Sequence, residues 1–227
     1  MNRNFKYLSI ITFAYITLQL VSDVSAGKLI SLFGETVSVT VLFFPVTYIF
    51  SDILTEVYGY ATARKVLWTV MLCSIFAGFI YIGVTSIAPS PFFENNEAYN
   101  KVLGQVPRLL IGGWLAVFSG DIANNFILAK LKIITKGKLL WTRTITSTIV
   151  GQLVNTAVFY VIGLYKIMPD NLLIRAIIAG WILKVIVEII FTPLTYLVIN
   201  KLKKLENIDH YDTNTNFNPF IIKDKQR

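Results

Sequence analysis

The sequence predicts an all-α membrane protein: six transmembrane helices in one bundle, with both termini on the cytoplasmic side. Three observations carry this. Of 227 residues, 55% are hydrophobic and 15% charged, against about 45–50% and 25% in soluble domains. The mean hydropathy is +0.62, and a chain of this size folded in water could not bury so much apolar surface. Six apolar windows approach the roughly 20 residues that a spanning helix needs, and basic residues concentrate in alternate connections between them.

The first window, 7–22, follows Arg3 and Lys6 in the manner of a signal peptide. No convincing small-x-small cleavage site follows Gln19, although 22–27 is rich in small residues, so it reads as a retained first helix. The second, 36–51, reaches spanning length only by continuing through Asp52 to Glu56. The third, 66–93, and the fifth, 144–165, are free of charge. The fourth, 109–129, and the sixth, 176–200, span only if Asp121, and Lys184 with Glu188, lie inside the membrane. The connection 88–106, with Pro89, Pro91, Asn95 and Asn96, has turn chemistry and no helical period; a short interfacial piece around Phe92 and Phe93 fits it. Residues 1–200 thus form the transmembrane domain and 201–227 a polar cytoplasmic tail, in which His210 reads as a solvated surface residue. Splitting the chain near residue 109 leaves three helices on each side, but their polar positions do not superimpose.

Orientation follows the basic residues. With the amino terminus inside, the inner connections and tail hold fifteen: Arg3, Lys6, Arg64, Lys65, Lys130, Lys132, Lys136, Lys138, Arg143, Lys201, Lys203, Lys204, Lys223, Lys225 and Arg227. The outer ones hold five: Lys28, Lys101, Arg108, Lys166 and Arg175. The net charge of +8 is therefore an orientation signal, and no nucleic-acid partner is expected. One cysteine, Cys73, and one histidine, His210, exclude an internal disulfide and a paired-histidine metal site. No phosphate-binding glycine loop is present. No enzyme class, metal or cofactor is expected, and the bilayer is the expected environment.

An ionisable group inside a span costs at least about 2.5–3.5 kcal/mol near the centre, so each asks for a reason. Asp52 and Glu56 are four apart on one helix face, suited to a cationic or amine-bearing ligand, to a shared proton, or to a basic partner such as Arg64 or Arg143. Asp121 lies three and four residues from Asn124 and Asn125, an acid with two amides that can donate and accept. Gln152 and Asn155 are three apart in a helix otherwise rich in small hydroxyl residues. Lys184 and Glu188 are four apart and read as an internal ion pair. Pro193 and Pro45 mark places where backbone carbonyls could be freed. Trp68, Trp141, Tyr60 and Tyr165 read as interfacial belt anchors; Trp114 and Trp181, inside spans, could stack on a planar ligand.

These residues resemble the queuosine precursor transporters, a vitamin-uptake-type family. The resemblance rests on Ser51-Asp52-Ile53-Leu54-Thr55-Glu56-Val57-Tyr58-Gly59-Tyr60 with Arg64, on Leu140-Trp141-Thr142-Arg143-Thr144 followed by Ser147-Thr148 and Gly151-Gln152, and on Lys184 with Glu188, Pro193 and Tyr196. It extends over essentially the whole chain; Asn155 stands where many members carry Asp. It implies an inner-membrane importer of 7-cyano- and 7-aminomethyl-7-deazaguanine for salvage into tRNA queuosine. Asp52, Glu56, Asp121, Asn124, Asn125, Gln152, Asn155, Lys184 and Glu188 would then bind substrate. The other reading is a substrate-binding subunit for a vitamin-like compound that depends on a separate ATP-driven module. Either leaves room for a homo-oligomer.

Overall fold

In the computed structural model the described residues are 5–104, 107–164, 170–213 and 215–221. Arg3, Tyr165, Lys166, Lys223, Lys225 and Arg227 lie outside them. The chain is predominantly helical. Helix α1 (Leu8–Ser25) leads into a hairpin of β1 (Leu29–Leu32) and β2 (Glu35–Ser38), then a 3-10 turn and α2 (Pro45–Ile53), which continues as a π-helical turn, Leu54–Tyr58. Next come α3 (Tyr60–Ser86), the short α4 (Asn96–Leu103), α5 (Pro107–Ile134), α6 (Leu140–Phe159) with a π-helical turn at Tyr160–Leu164, and α7 (Asp170–Glu206).

Two departures from the sequence reading arise from local chemistry. The start of the second window is not helix. Leu29 pairs with Ser38 and Leu32 with Glu35 across the tight turn Phe33-Gly34, where both residues have positive φ, 52° and 82°, as a type I′ hairpin requires. Pro45 consequently sits in the first helical turn, where its missing N–H is one the helix leaves unbonded anyway, and it frees no carbonyl. The 88–106 connection, expected to lack helix, contains α4, whose i,i+4 pair Glu97–Lys101 is 2.5 Å apart.

The pattern of burial differs from that of a soluble protein, with polar side chains sharing the interior with an apolar core that includes Ile49, Ile53, Val57 and Val70. Phe13, Leu72, Phe76, Phe79, Ile190 and Leu197 are all more than 60% exposed, while charged and amide side chains are buried. Among the described residues three helices, Leu8–Ser25, Tyr60–Ser86 and Leu140–Gly163, are long and apolar enough to cross a membrane. Helices α5 and α7 have 28 and 37 residues, about 42 and 55 Å at 1.5 Å per residue, but are interrupted by the polar residues described below.

Small residues set the distance between α5 and α6. A β-carbon on Gly151 would lie 2.8 Å from the Asn124 Cβ and 2.9 Å from the Tyr48 ring; one on Gly120 would lie 2.9 Å from the Gly151 carbonyl oxygen. Such contacts force the helices apart. Gly151→Ala should therefore cost about 1–3 kcal/mol and lower the melting midpoint in detergent. Gly113→Ala, which meets nothing within 4 Å, should be neutral or gain about 0.5–1 kcal/mol from helix propensity.

The irregular tail is not loose chain. Asp212 caps the start of α3, accepting from the Tyr60 backbone N–H at 3.2 and 3.0 Å. Arg64 donates to the carbonyls of Asn216 and Asn218 at 2.6 and 2.7 Å, and the Trp68 indole to that of Pro219 at 2.9 Å. Phe217 packs on Tyr60 and Phe126, and Phe220 on Trp68 and Phe118. Tyr60 and Trp68 are thus docking residues for the tail and not belt anchors; Trp141 is 54% exposed. His210 is exposed, as expected.

Burial acts to raise the pKa of Asp212, but His210, the Tyr60 N–H and Thr215 together hold it below the usual carboxylate value. A depressed folded-state pKa contributes stability that is present above the unfolded value, about 3.9, and is lost as pH falls through the folded one. Tail docking should be complete at neutral pH and weaken below about pH 4. Limited proteolysis should cut the 208–221 segment only in acid, and Asp212→Ala should make it sensitive at neutral pH.

Candidate functional site

Helices α2, α5, α6 and α7 bring acids and amides together in the interior. Asp52, Asp121, Asn124, Gln152, Asn155, Lys184 and Glu188 are all buried. Thr148, Gln152 and Asn155 share one face of α6 by their four- and three-residue spacing. The Asn124 amide donates to Asp52 Oδ1 at 2.6 Å. The Tyr15 hydroxyl of α1 donates to Asp121 Oδ2, and the Tyr48 hydroxyl to the Gly151 carbonyl at 3.1 Å. The Glu188 carboxylate interacts electrostatically with both Asp52 and Asp121.

Much of this cluster's hydrogen-bonding capacity is unused by protein. Among the described residues, Asp52 Oδ2, Asp121 Oδ1, Asn124 Oδ1, both polar atoms of Gln152, Asn155 Nδ2 and Glu188 Oε2 are buried without a protein partner. Buried polar groups are ordinarily bonded, and each that is not costs about 1–3 kcal/mol. They are concentrated on the four helices α2, α5, α6 and α7. Acceptors predominate, with Gln152 Nε2 and Asn155 Nδ2 as donors, so the complementary ligand is rich in N–H groups.

Lys184 does not pair with Glu188 as its spacing predicts. Its ammonium donates to Asn155 Oδ1 at 3.0 Å and Thr156 Oγ1 at 3.3 Å and lies 4.7 Å from the centre of the Phe44 ring. Helix α6 offers a flexible lysine two oxygens and Phe44, just before α2, an aromatic face, which together outcompete the intrahelical carboxylate. Asn125 ties α5 to α2: its Oδ1 accepts from Ser51 and Thr55 at 2.8 and 2.9 Å.

Glu56 belongs to a separate ion cluster at the end of the bundle. Arg143 of α6 grips it with both terminal nitrogens, at 2.5 and 3.2 Å, the two-pronged geometry that suits guanidinium and carboxylate. Lys203 of α7 and Lys132 of α5 approach at 2.7 and 3.3 Å. Asp209 of the tail bridges the two lysines at 2.7 and 2.9 Å. Of the partners the sequence offered for Glu56, Arg143 is the one used. Lys132 and Lys203 went unnoticed because, as sequence, they look like ordinary inner-loop charges.

The two tryptophans are differently placed. The Trp114 indole donates to Ser74 at 2.8 Å and packs with Phe44, Tyr48 and Val117. The Trp181 indole is committed to the Ile149 carbonyl at 2.9 Å.

With this geometry in view, residues 38–198 match the model of the family described as "Putative vitamin uptake transporter". The chain belongs to that family. Its members are classed as transporters, which agrees with a multi-pass membrane protein whose interior is polar. A curated relative is the "Probable queuosine precursor transporter" of Bacillus subtilis (strain 168), 27% identical over 176 residues and covering 77% of each chain. No solved structure matches. The family match spans the acid-amide residues of α2, α5, α6 and α7 together with Glu56 and Arg143; Lys203 and the docked tail lie beyond it.

Proposed function

We propose that this protein is a six-span importer of queuosine precursors, 7-cyano- and 7-aminomethyl-7-deazaguanine, in the bacterial cytoplasmic membrane, with both termini inside. The observation that carries the substrate reading is the set of unsatisfied acceptors in the buried cluster, taken with the name of the Bacillus relative. A guanine-type edge presents adjacent ring N–H and exocyclic amino donors, which a carboxylate such as Asp52 or Glu188 accepts together. Gln152 and Asn155 supply N–H groups for the ring carbonyl. Asp121 and Asn124 are left for the remaining donors, including an aminomethyl cation. Lys184 orients Asn155, and Asn125 holds α5 to α2. Glu56 acts by fixing the inner ends of the helices, and Trp114 and Trp181 flank the site as aromatic walls.

Orientation is supported by the ends of the chain. The backbone N–H groups of Lys6 and Tyr7 donate to Glu206 at 3.2 and 2.8 Å, so α1 begins where α7 finishes. The Glu56 cluster is at that same end and gathers Lys132, Arg143 and Lys203, the basic side expected to face the cytoplasm.

The test is expression in a bacterium unable to make either base. With deazaguanine fed at low concentration, queuosine should reappear in tRNA; its absence in a well-expressing strain removes the substrate assignment. Accumulation by the purified chain alone in liposomes separates an autonomous carrier from a subunit that needs an ATP-driven module.

A further inference from the structure

The face of α1 that the bundle covers carries Ile11, Tyr15, Gln19 and Ser22. Tyr15, Gln19 and Asp23 follow at four-residue steps, each rising about 6 Å along the helix, and so form one row. At the inner end of the row the Tyr15 hydroxyl donates to Asp121. At the outer end, beside the β-hairpin, Asp23 Oδ1 accepts from Gln19 Nε2 at 2.8 Å and Oδ2 accepts from Ser74 Oγ. Ser74 in turn accepts from the Trp114 indole. Between the ends, Gln19 Oε1 and Ser22 Oγ are buried without a protein partner. None of these α1 groups belongs to the acid-amide cluster, and an acid in a first span needs a reason to be there.

We propose that this row is a proton track from the outer side to Asp121, which makes the protein a proton symporter. Asp23 takes up a proton. Water bonded to Gln19 Oε1 and Ser22 Oγ carries it along the roughly 12 Å of helix to Tyr15. There the Tyr15 O–H bond breaks as the Asp121 Oδ2–H bond forms, and the incoming proton restores the phenol. A tyrosine hydroxyl can make this exchange because it donates and accepts at one atom. The net change is one proton moved to Asp121, which leaves it to the inner side as the base departs. Both Asp23 oxygens already accept protein hydrogen bonds, which suits a proton-exchanging group better than a metal-cation cage.

The charges around Asp121 give the proton a purpose. Glu188 of α7 interacts electrostatically with Asp121 of α5 and Asp52 of α2, Asp52 also with Glu56 and Arg143, and Lys184, a turn earlier on α7, is occupied by Asn155 and Thr156 of α6. The Lys184 ammonium is therefore committed to neutral oxygens and, among the described residues, is paired with none of Asp52, Asp121 and Glu188. Asp23 is met by neutral groups, Gln19 of α1 and Ser74 of α3, the latter tied to Trp114 of α5.

The inference rests on the importer reading, and the test separates the two. The purified full chain is placed in liposomes with a pH-sensitive dye inside, and the exterior is acidified with 7-aminomethyl-7-deazaguanine present. Influx should acidify the interior and persist when choline replaces sodium. Asp23→Asn and Gln19→Leu should lose at least tenfold of the gradient-driven rate while retaining exchange of labelled base at equal pH. Influx without proton movement, dependence on sodium, or full drive in Asp23→Asn overturns the proposal. If no base exchanges in any arm, the importer reading fails, and difference infrared spectroscopy judges the track alone. External acid should protonate a carboxyl whose signal Asp121→Asn removes and Asp23→Asn slows; a missing signal, or one indifferent to Asp23→Asn, overturns it.

Discussion

Glu56→Gln should lower the melting midpoint in detergent by on the order of 10 °C. The change removes the one carboxylate that Arg143, Lys132 and Lys203 share and leaves three cations crowded with only Asp209 between the lysines. Breaking a buried pair by removing one partner costs about 3–5 kcal/mol, and for a chain of this length each kcal/mol shifts the midpoint by about 2–4 °C. Uptake should fall with stability, so loss of transport in this variant says nothing about contact with substrate. Glu56→Asp, which keeps the charge on a shorter arm, should recover part of the midpoint. An unchanged midpoint in Glu56→Gln would mean that the cluster is solvated and weak.

Asp52→Asn should have the opposite signature, a large loss of binding with the fold intact. Asparagine keeps an oxygen for the Asn124 amide, which now donates to Oδ1 at 2.6 Å, but turns the free Oδ2 into a donor. Against a ligand that presents N–H groups, this exchanges an attraction for a clash of donors. A hydrogen bond to a charged group is worth about 1.5–3 kcal/mol, so affinity for 7-aminomethyl-7-deazaguanine measured by calorimetry should fall roughly 10- to 100-fold. The melting midpoint should move by no more than a few degrees. Affinity equal to the parent's would remove Asp52 from the site.

The contrast between these variants shows what was legible in the sequence. Asp52 and Glu56 share a helix face, and nothing in their spacing separates their surroundings. The difference lies in the partners: Asn124 reaches one, and three cations from distant helices close on the other. The acid-amide cluster itself was readable because an amide or acid in an apolar window is conspicuous. Asp121, Asn124, Gln152, Asn155 and Glu188 were all found in this way, and the structure brings them into one interior. Asn125 was found by the same signal but is spent on Ser51 and Thr55, since spacing fixes a face and not the neighbour across it.

Other elements carried weaker signals. Tyr15 and Gln19 sit in a window that reads as uninterrupted span because neither carries a charge, and Gln19 is a single amide with no second one beside it in that window. Asp23 falls just past its end, among small residues of the kind that also flank processing sites. The hairpin was hidden by its turn: Phe33-Gly34 lacks the Asn or Asp that ordinarily announces a type I′ loop. The docking of the tail depends on backbone carbonyls of Asn216, Asn218 and Pro219, which no side-chain pattern encodes.

That docking also sets an order of events during synthesis. The start of α3 at Tyr60 waits for Asp212, 152 positions later. At ribosomal rates of about 5–20 residues per second, the inner ends of α2 and α3 stay open for roughly 8–30 s after they emerge. Throughout that interval Glu56 lacks Arg143, then Lys203, and Arg64 lacks the carbonyls that hold it. Residues 209–219 therefore close the first part of the bundle, and a chain halted near residue 206 would have the helices α1 to α7 and an unlatched end.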